Sequence, residues 1–306
     1  MNREIIQPDN REHWLKLRSQ DLTSTQIPAL FNCSPYMTKF QLWHRVKSGE
    51  IEILEPNERM LWGTRLEGSI AHGIAEDEGL TVTRMTEYIR LPDHRIGASF
   101  DYKILAPMIA LMEIKNVDAL VFKKEWIDDE EDTSEAPPHI EIQAQVQQLV
   151  SGIDRTLIGA LRGGNSVAKI WRDKNPAIHA AILRESALFW KSIDENNPPP
   201  PDFALDSDFI SSLYGHAEPG KVYDGRNDGE LMMLAMEYKR AADALKEAQS
   251  QKDAAKAEIL TKIKDSEKAF GDGFNISAGL VGPARIEYDR EGYRNFRVTW
   301  PKKQGK

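Results

Sequence analysis

The chain has 306 residues, 41% hydrophobic and 29% charged, the profile of a soluble globular protein able to bury one large core or two smaller ones. Its net charge of -8 argues against nucleic acid, but Asp128, Asp129, Glu130, Glu131, Asp132 and Glu135 form one tract that reads as a solvated loop; the remainder is nearly neutral, so a local basic groove is allowed. No apolar run approaches the roughly 18 residues of a membrane span, MNREIIQPDN lacks a signal-peptide core, and a lone Cys33 excludes an internal disulfide or thiolate zinc cluster and fits a reducing cytoplasm.

Residues 10 to 56 read as short helices, NREHWLKLRSQDLTSTQIPALF and then TKFQLWHRVKSG. A longer helix is expected over NERMLWGTRLEGSIAHGIAEDEG, with Gly79 near its C-terminal stop. Three strands come next, LTVTRMTEYIRL, RIGASFDYKIL and MIALMEIKN, separated by the turn signals PDH and AP. Beyond the acidic tract, PPHIEIQAQVQQLVSG has proline at its start and glycine at its end, the usual punctuation of a helix. TLIGALRGGNSVAKIWR predicts a hairpin turning at Gly163-Gly164-Asn165, and PAIHAAILRESALFWKSID another helix.

The stiff run from Pro198 to Pro201 divides a domain over 1–200 from an extension over 201–306. In the extension Leu231, Leu234, Tyr238, Ala241, Leu245, Ala248, Ala255 and Ile259 alternate steps of three and four, interrupted by Lys252. They predict a long amphipathic or coiled-coil helix over about 229–265. The tail FNISAGLVGPARIEYDREGYRNFRVTW reads as strands.

Chemistry concentrates in ALMEIKNVD, where Glu113 and Lys115 share one face of a strand while Ile114 points away. A Glu-x-Lys pair alone says little; another at Glu237 and Lys239 lies on the solvated face of the long helix. Asp101, at the end of the preceding strand, meets Glu113 and Lys115 if the two strands pair, and Glu67 comes from a helix facing the same sheet. The plain alternative is ordinary surface charge. Three carboxylates around one point repel unless a cation sits among them, and hard oxygen ligands suit Mg²⁺ or Mn²⁺. Such ions polarise a phosphoryl oxygen and activate water, and a lysine beside them has its ammonium form disfavoured and can act on the attacking water. The residues suggest a metal-dependent phosphodiesterase.

With its upstream helical Glu, this D…ExK pattern resembles the PD-(D/E)xK nucleases. The ordered stretches WLKLRSQDLTST, WGTRLEGSIAHGIAEDEGLTV, GASFDYK, LMEIKN and QAQVQQLVSG resemble the lambda exonuclease group, the YqaJ-like viral recombinases, over about residues 10–175. The resemblance implies an α/β fold: a restriction-endonuclease-like core with a central mixed β-sheet flanked by helices, followed by a C-terminal helical and β extension. It implies that Glu67, Asp101, Glu113 and the Ile114 carbonyl bind Mg²⁺, two ions per site with Mn²⁺ able to substitute, and that Lys115 orients the nucleophilic water. Gln143 aligns with the family's catalytic glutamine, although Gln145 fits after a two-residue slip. Arg18, Thr25 and Ser99 occupy positions used to hold a 5′-phosphate, and Met60 matches a strand-separating wedge, against the alternative that it packs in a core.

The chain departs from the pattern where Phe100 replaces the motif proline, a position that carries no ligand, and where Thr25 stands for an expected serine. The segment after Pro201 matches only the helical extensions of some viral recombinases. The resemblance further implies a 5′-to-3′ exonuclease that leaves 3′ single strands on linear 5′-phosphorylated duplex. It also implies a ring-shaped homotrimer, a single-strand annealing protein as partner, and phage or prophage origin in a bacterial cytoplasm. The competing readings are an endonuclease of resolvase or restriction type and a non-catalytic DNA-binding recombination scaffold. His44, His72 and His94 lack helical ligand spacing, His139 reads as a surface residue, and the scattered tryptophans read as core.

Overall fold

The computed structural model describes residues 1–49, 51, 55–127, 134–285, 287 and 292–298. Its elements begin with strand β1 (Glu4–Ile6), helix α1 (Arg11–Arg18), strand β2 (Leu22–Thr23), a 3-10 turn over Ile27–Phe31, and helices α2 (Lys39–Ser48) and α3 (Glu58–Glu78). Next along the chain are strands β3 (Thr81–Arg84), β4 (Tyr88–Leu91), β5 (Ile96–Ala98), β6 (Tyr102–Ala106) and β7 (Ala110–Val117), then helices α4 (Ala119–Glu125) and α5 (Pro138–Ser151). The hairpin β8 (Arg155–Arg162) and β9 (Ser166–Asp173), helices α6 (Pro176–Asp194), α7 (Ser207–Leu213) and α8 (Gly229–Ile263), and strands β10 (Lys268–Gly271) and β11 (Phe274–Ser277) complete them. Contacts divide the chain into two compact units, Met1–Ile210 and Ser211–Lys306. Asp206, past the proline run, accepts hydrogen bonds from Thr38 Oγ1 at 2.6 Å and Gln41 Nε2 at 2.8 Å, which ties residues just after the prolines to α2.

In the first unit a five-stranded mixed sheet has the order β3-β6-β7-β8-β9, and a smaller sheet the order β1-β4-β5-β2. β6 and β7 pair antiparallel with Tyr102 opposite Met112, which leaves Asp101 beside Glu113 and Ile114. β7 and β8 run parallel, and β8 returns antiparallel along β9 through Gly163 and Gly164, both at positive φ as the hairpin turn requires.

Two of the expected strands are each two strands in different sheets. LTVTRMTEYIRL breaks at Met85-Thr86-Glu87 into β3 and β4, and RIGASFDYKIL breaks at Ser99-Phe100-Asp101 into β5 and β6. The cause is a change of core. Val82, Tyr102 and Ile104 pack with Ile70, Ile74 and Met112, whereas Met85, Ile89, Ile96 and Phe100 pack with Leu22, Trp43 and Phe189. The chain crosses from one cluster to the other and back, and Met85 N donates to Asp101 O across the two breaks at 2.9 Å. Asp101 therefore lies at a bend before a strand, not at a strand's end.

Helix α3 runs as expected: Asn57 caps its start by accepting from Met60 N at 3.0 Å, and Gly79 closes it at φ +64°. The segment 10–56 holds β2 besides its helices, because Leu22–Thr23 pairs parallel with Ile96–Gly97. In the second unit α8 matches the predicted long helix, with Leu231, Leu234, Tyr238, Leu245 and Ile259 exposed. Among the described residues the expected strands of the tail reduce to β11, since Gly279, Gly282 and Pro283 interrupt the chain beyond Ser277; residues 286, 288–291 and 299–300 lie outside the described residues. Asp128 through Asp132 of the acidic tract also lie outside them, while Glu135 pairs its backbone with Ile127. Trp43, Trp126 and Trp190 are buried, but Trp62 is exposed beneath Arg65 rather than packed in a core.

Candidate active site

Strand alternation places Glu113 and Lys115 on one face of β7, and α5 covers that face. Glu113 is only 3% exposed and accepts three hydrogen bonds: Oε1 from Lys115 Nζ and Gln143 Nε2, both at 2.6 Å, and Oε2 from Gln147 Nε2 at 2.7 Å. Lys115 Nζ also donates to Gln143 Oε1 at 3.2 Å. Burial works against the Lys115 ammonium, but Glu113 and Asp101 outweigh it and hold the group above the ordinary lysine range. Without cations the lysine is thus kept charged, the reverse of the state expected beside bound metal.

Asp101 Oδ2 accepts from Ile114 N at 2.8 Å. Burial, followed by the charge of Glu113, raises the Asp101 carboxyl well above the usual range, and Glu67 adds to it. Glu67, on α3, lies 3.4 Å from an Arg84 guanidinium nitrogen; burial raises its carboxyl, with Glu113 contributing and Arg84 opposing. The charge of Glu113 thus reaches both Asp101 and Glu67. Among the described residues no three Asp, Glu, His or Cys side chains stand close enough to enclose a metal as they are oriented. The donor set nevertheless fits a hard divalent cation: Glu113 is buried, its charge adds to the burial that raises Asp101 and Glu67, and a cation would relieve that crowding of carboxylates without protonating them.

Helix α5 resolves its four glutamines by direction. Gln143 and Gln147, one turn apart, face Glu113. Gln145 points the other way, donating to Asp173 O at 3.0 Å and accepting from Asn175 N at 2.8 Å, and Gln148 donates to Thr156 Oγ1 and Arg172 O. Of the two alternatives read from sequence, Gln143 is the one at the carboxylates. Sequence reasoning misses Gln147; its spacing of four from Gln143 is the signal that marks it.

Arg18, Thr25 and Ser99 gather around Trp14. The Trp14 indole donates to Ser99 Oγ at 2.9 Å, the Arg18 guanidinium stacks 4.5 Å from the centre of the indole ring, and an Arg18 nitrogen lies 3.5 Å from Thr25 Oγ1. Thr23 Oγ1 lies 3.1 Å from Thr25 Oγ1. Below them Asp21 is buried between Arg90, which donates at 2.7 Å, and the Tyr88 hydroxyl, which donates at 3.1 Å. Burial raises Asp21 above the usual carboxylate range against these partners. Gln147 Nε2 donates to Ser99 O at 3.1 Å, which joins this cluster to Glu113.

Met60 and Leu61 stand apart in the first turn of α3. Met60 is 46% exposed, so it does not pack in a core. His139 sits edge-on to Tyr36, and burial followed by the charge of Lys115 lowers its imidazole below the ordinary range.

Residues 13–154 match the family model of the YqaJ-like viral recombinase domain. The crystal structure of an alkaline exonuclease, LHK-Exo, from Laribacter hongkongensis is 18% identical, with a TM-score of 0.51 over 66% of this chain and 99% of that one. The structure of LHK-Exo in complex with dAMP is 19% identical, with a TM-score of 0.49 over 65% and 98%. No curated protein matches the chain. The first likeness shows a shared fold, an α/β core whose mixed sheet is flanked by helices.

Proposed function

We propose that this chain, whose residues 13–154 match the family model of the YqaJ-like viral recombinase domain, is a divalent-metal-dependent 5′-to-3′ exonuclease that digests one strand of linear duplex DNA. The observation that carries this reading is the set of Glu113, Lys115 and Gln143 in mutual hydrogen bonds, with Asp101 beside them and Glu67 within their field. Glu67, Asp101, Glu113 and the Ile114 carbonyl would hold Mg²⁺ or Mn²⁺, which supplies Lewis-acid activation of water and charge neutralisation at a phosphoryl group.

The chain's own groups do the rest. Lys115 would orient the attacking water, and Gln143 fixes the lysine by accepting from Nζ while donating to Glu113. Arg18, with the hydroxyls of Thr25 and Ser99, would receive a terminal 5′-phosphate, since a guanidinium and hydroxyls are strong donors to phosphate oxygens. Such a pocket suits an enzyme that starts at an end and serves no purpose in one that enters mid-strand. Exposed Met60, with Leu61, would meet the terminal base pair. A ring of three subunits would keep the enzyme on its substrate, and the 3′ strands produced would pass to a single-strand annealing protein.

The test is to incubate the full chain and Mg²⁺ with 5′-phosphorylated linear duplex and with closed-circular DNA. Loss of the linear substrate alone supports the proposal. Nicked circles would make the protein an endonuclease, and no loss of either a binding scaffold.

A further inference from the structure

Gln147 has a geometry that a merely buried amide does not need. Its Nε2 carries two hydrogens; one goes to Glu113 Oε2 at 2.7 Å and the other to Ser99 O at 3.1 Å. On the Ser99 side the same residue's hydroxyl accepts from Trp14, whose ring carries Arg18. On the Glu113 side the other carboxylate oxygen is held by Lys115 and Gln143. One side chain therefore joins the arginine cluster to the carboxylates. Gln145, equally buried on the same helix, makes its two hydrogen bonds around the end of β9 and touches neither group.

We propose that Gln147 is a positioning residue that couples occupation of the 5′-end pocket to the orientation of Glu113. The inference rests on the exonuclease reading above. Seating a terminal phosphate at Arg18 and Ser99 fixes the residue 99 carbonyl, and the shared amide then fixes Glu113 Oε2; a correct end assembles the site, and a wrong end leaves it loose. Coupling of this kind needs a double-mutant cycle, because spatial intermediacy alone does not establish it.

The cycle crosses the protein variant with the end. Rates are measured on 5′-phosphate and 5′-hydroxyl linear duplexes with Mg²⁺ for wild type, Gln147→Met, Gln147→Asn and Gln145→Met. Binding of both ends in EDTA reads the same preference for any variant that turns over slowly, and the rise in melting temperature with Mg²⁺ reports on the carboxylates without turnover. We expect the 5′-phosphate preference to fall roughly tenfold in both Gln147 variants, the size of one lost hydrogen bond to a charged group. Their Mg²⁺-induced stabilisation should shrink as well. Gln145→Met should lose melting temperature and keep the preference. An unchanged preference in the Gln147 variants, or an equal fall in Gln145→Met, overturns the coupling and leaves the exonuclease reading standing. A wild type with no end preference removes the pocket, and the coupling falls with it.

Discussion

Replacing Glu113 by Gln separates the stability of this site from its chemistry. The wild-type carboxylate accepts from Lys115 at 2.6 Å, Gln143 at 2.6 Å and Gln147 at 2.7 Å, so its two oxygens face only donors. A glutamine must turn an NH₂ group towards at least one of them and leaves the Lys115 ammonium without its nearest counter-charge. Hydrogen bonds to charged groups contribute about 1.5–3 kcal/mol each, and breaking a buried pair costs about 3–5 kcal/mol. The lysine side chain retains some exposure to water, and losing the repulsion with Asp101 and Glu67 offsets part of the cost, which leaves about 2–3 kcal/mol. For a unit the size of Met1–Ile210 that corresponds to a fall of about 4–12 °C in melting temperature.

Asp101→Asn removes a charge but keeps an oxygen to accept the hydrogen bond from Ile114 N, which the wild-type carboxylate receives at 2.8 Å. Metal-free Asp101→Asn should therefore melt at or above wild type, because burial and the neighbouring acids already oppose its charge. Tryptophan fluorescence in EDTA is the assay, since all tryptophans but Trp300 lie in the first unit. Equal destabilisation by the two substitutions, or a Glu113→Gln protein as stable as wild type, would refute the reasoning.

Three further outcomes are expected. Arg18→Ala should erase most of the preference for 5′-phosphate over 5′-hydroxyl ends, about tenfold or more, measured as relative digestion rates. Met60→Ala should slow digestion of fully paired duplex and spare frayed ends, with little change in melting temperature because the side chain is exposed; equal slowing on both substrates would remove it as the wedge. Gly97→Ala should destabilise the first unit by about 3 kcal/mol or more, since its Cβ would overlap the Tyr88 hydroxyl and lie 2.9 Å from Asp21 Oδ2; a thermal melt checks it.

The legible parts of this chain are those governed by local rules. Capping residues and a positive-φ glycine bound α3, the double glycine makes the β8–β9 turn, and the two-residue period puts Glu113 and Lys115 together. The strand breaks at Met85-Thr86-Glu87 and at Ser99-Phe100-Asp101 are not legible. They arise because the chain changes hydrophobic cluster there, a tertiary event with no proline or glycine to announce it. Those same breaks release Ser99 and Asp101 from the ladders and so build the candidate site. The glutamines are ambiguous for a related reason. Helix α5 is buried nearly all round, so polarity gives no outward face, and only the partners of Gln143, Gln145, Gln147 and Gln148 sort them. The tryptophan reading fails at Trp62 because composition cannot tell a core ring from an exposed one stacked under Arg65.

The polarity of digestion tests the central claim most directly. Linear duplex is labelled at either the 5′ or the 3′ end of one strand, and release of label by the full chain is followed with Mg²⁺ and with EDTA. The account predicts early release of the 5′ label with Mg²⁺, late release of the 3′ label, and none in EDTA. Release of the 3′ label first, or release that persists in EDTA, would contradict it.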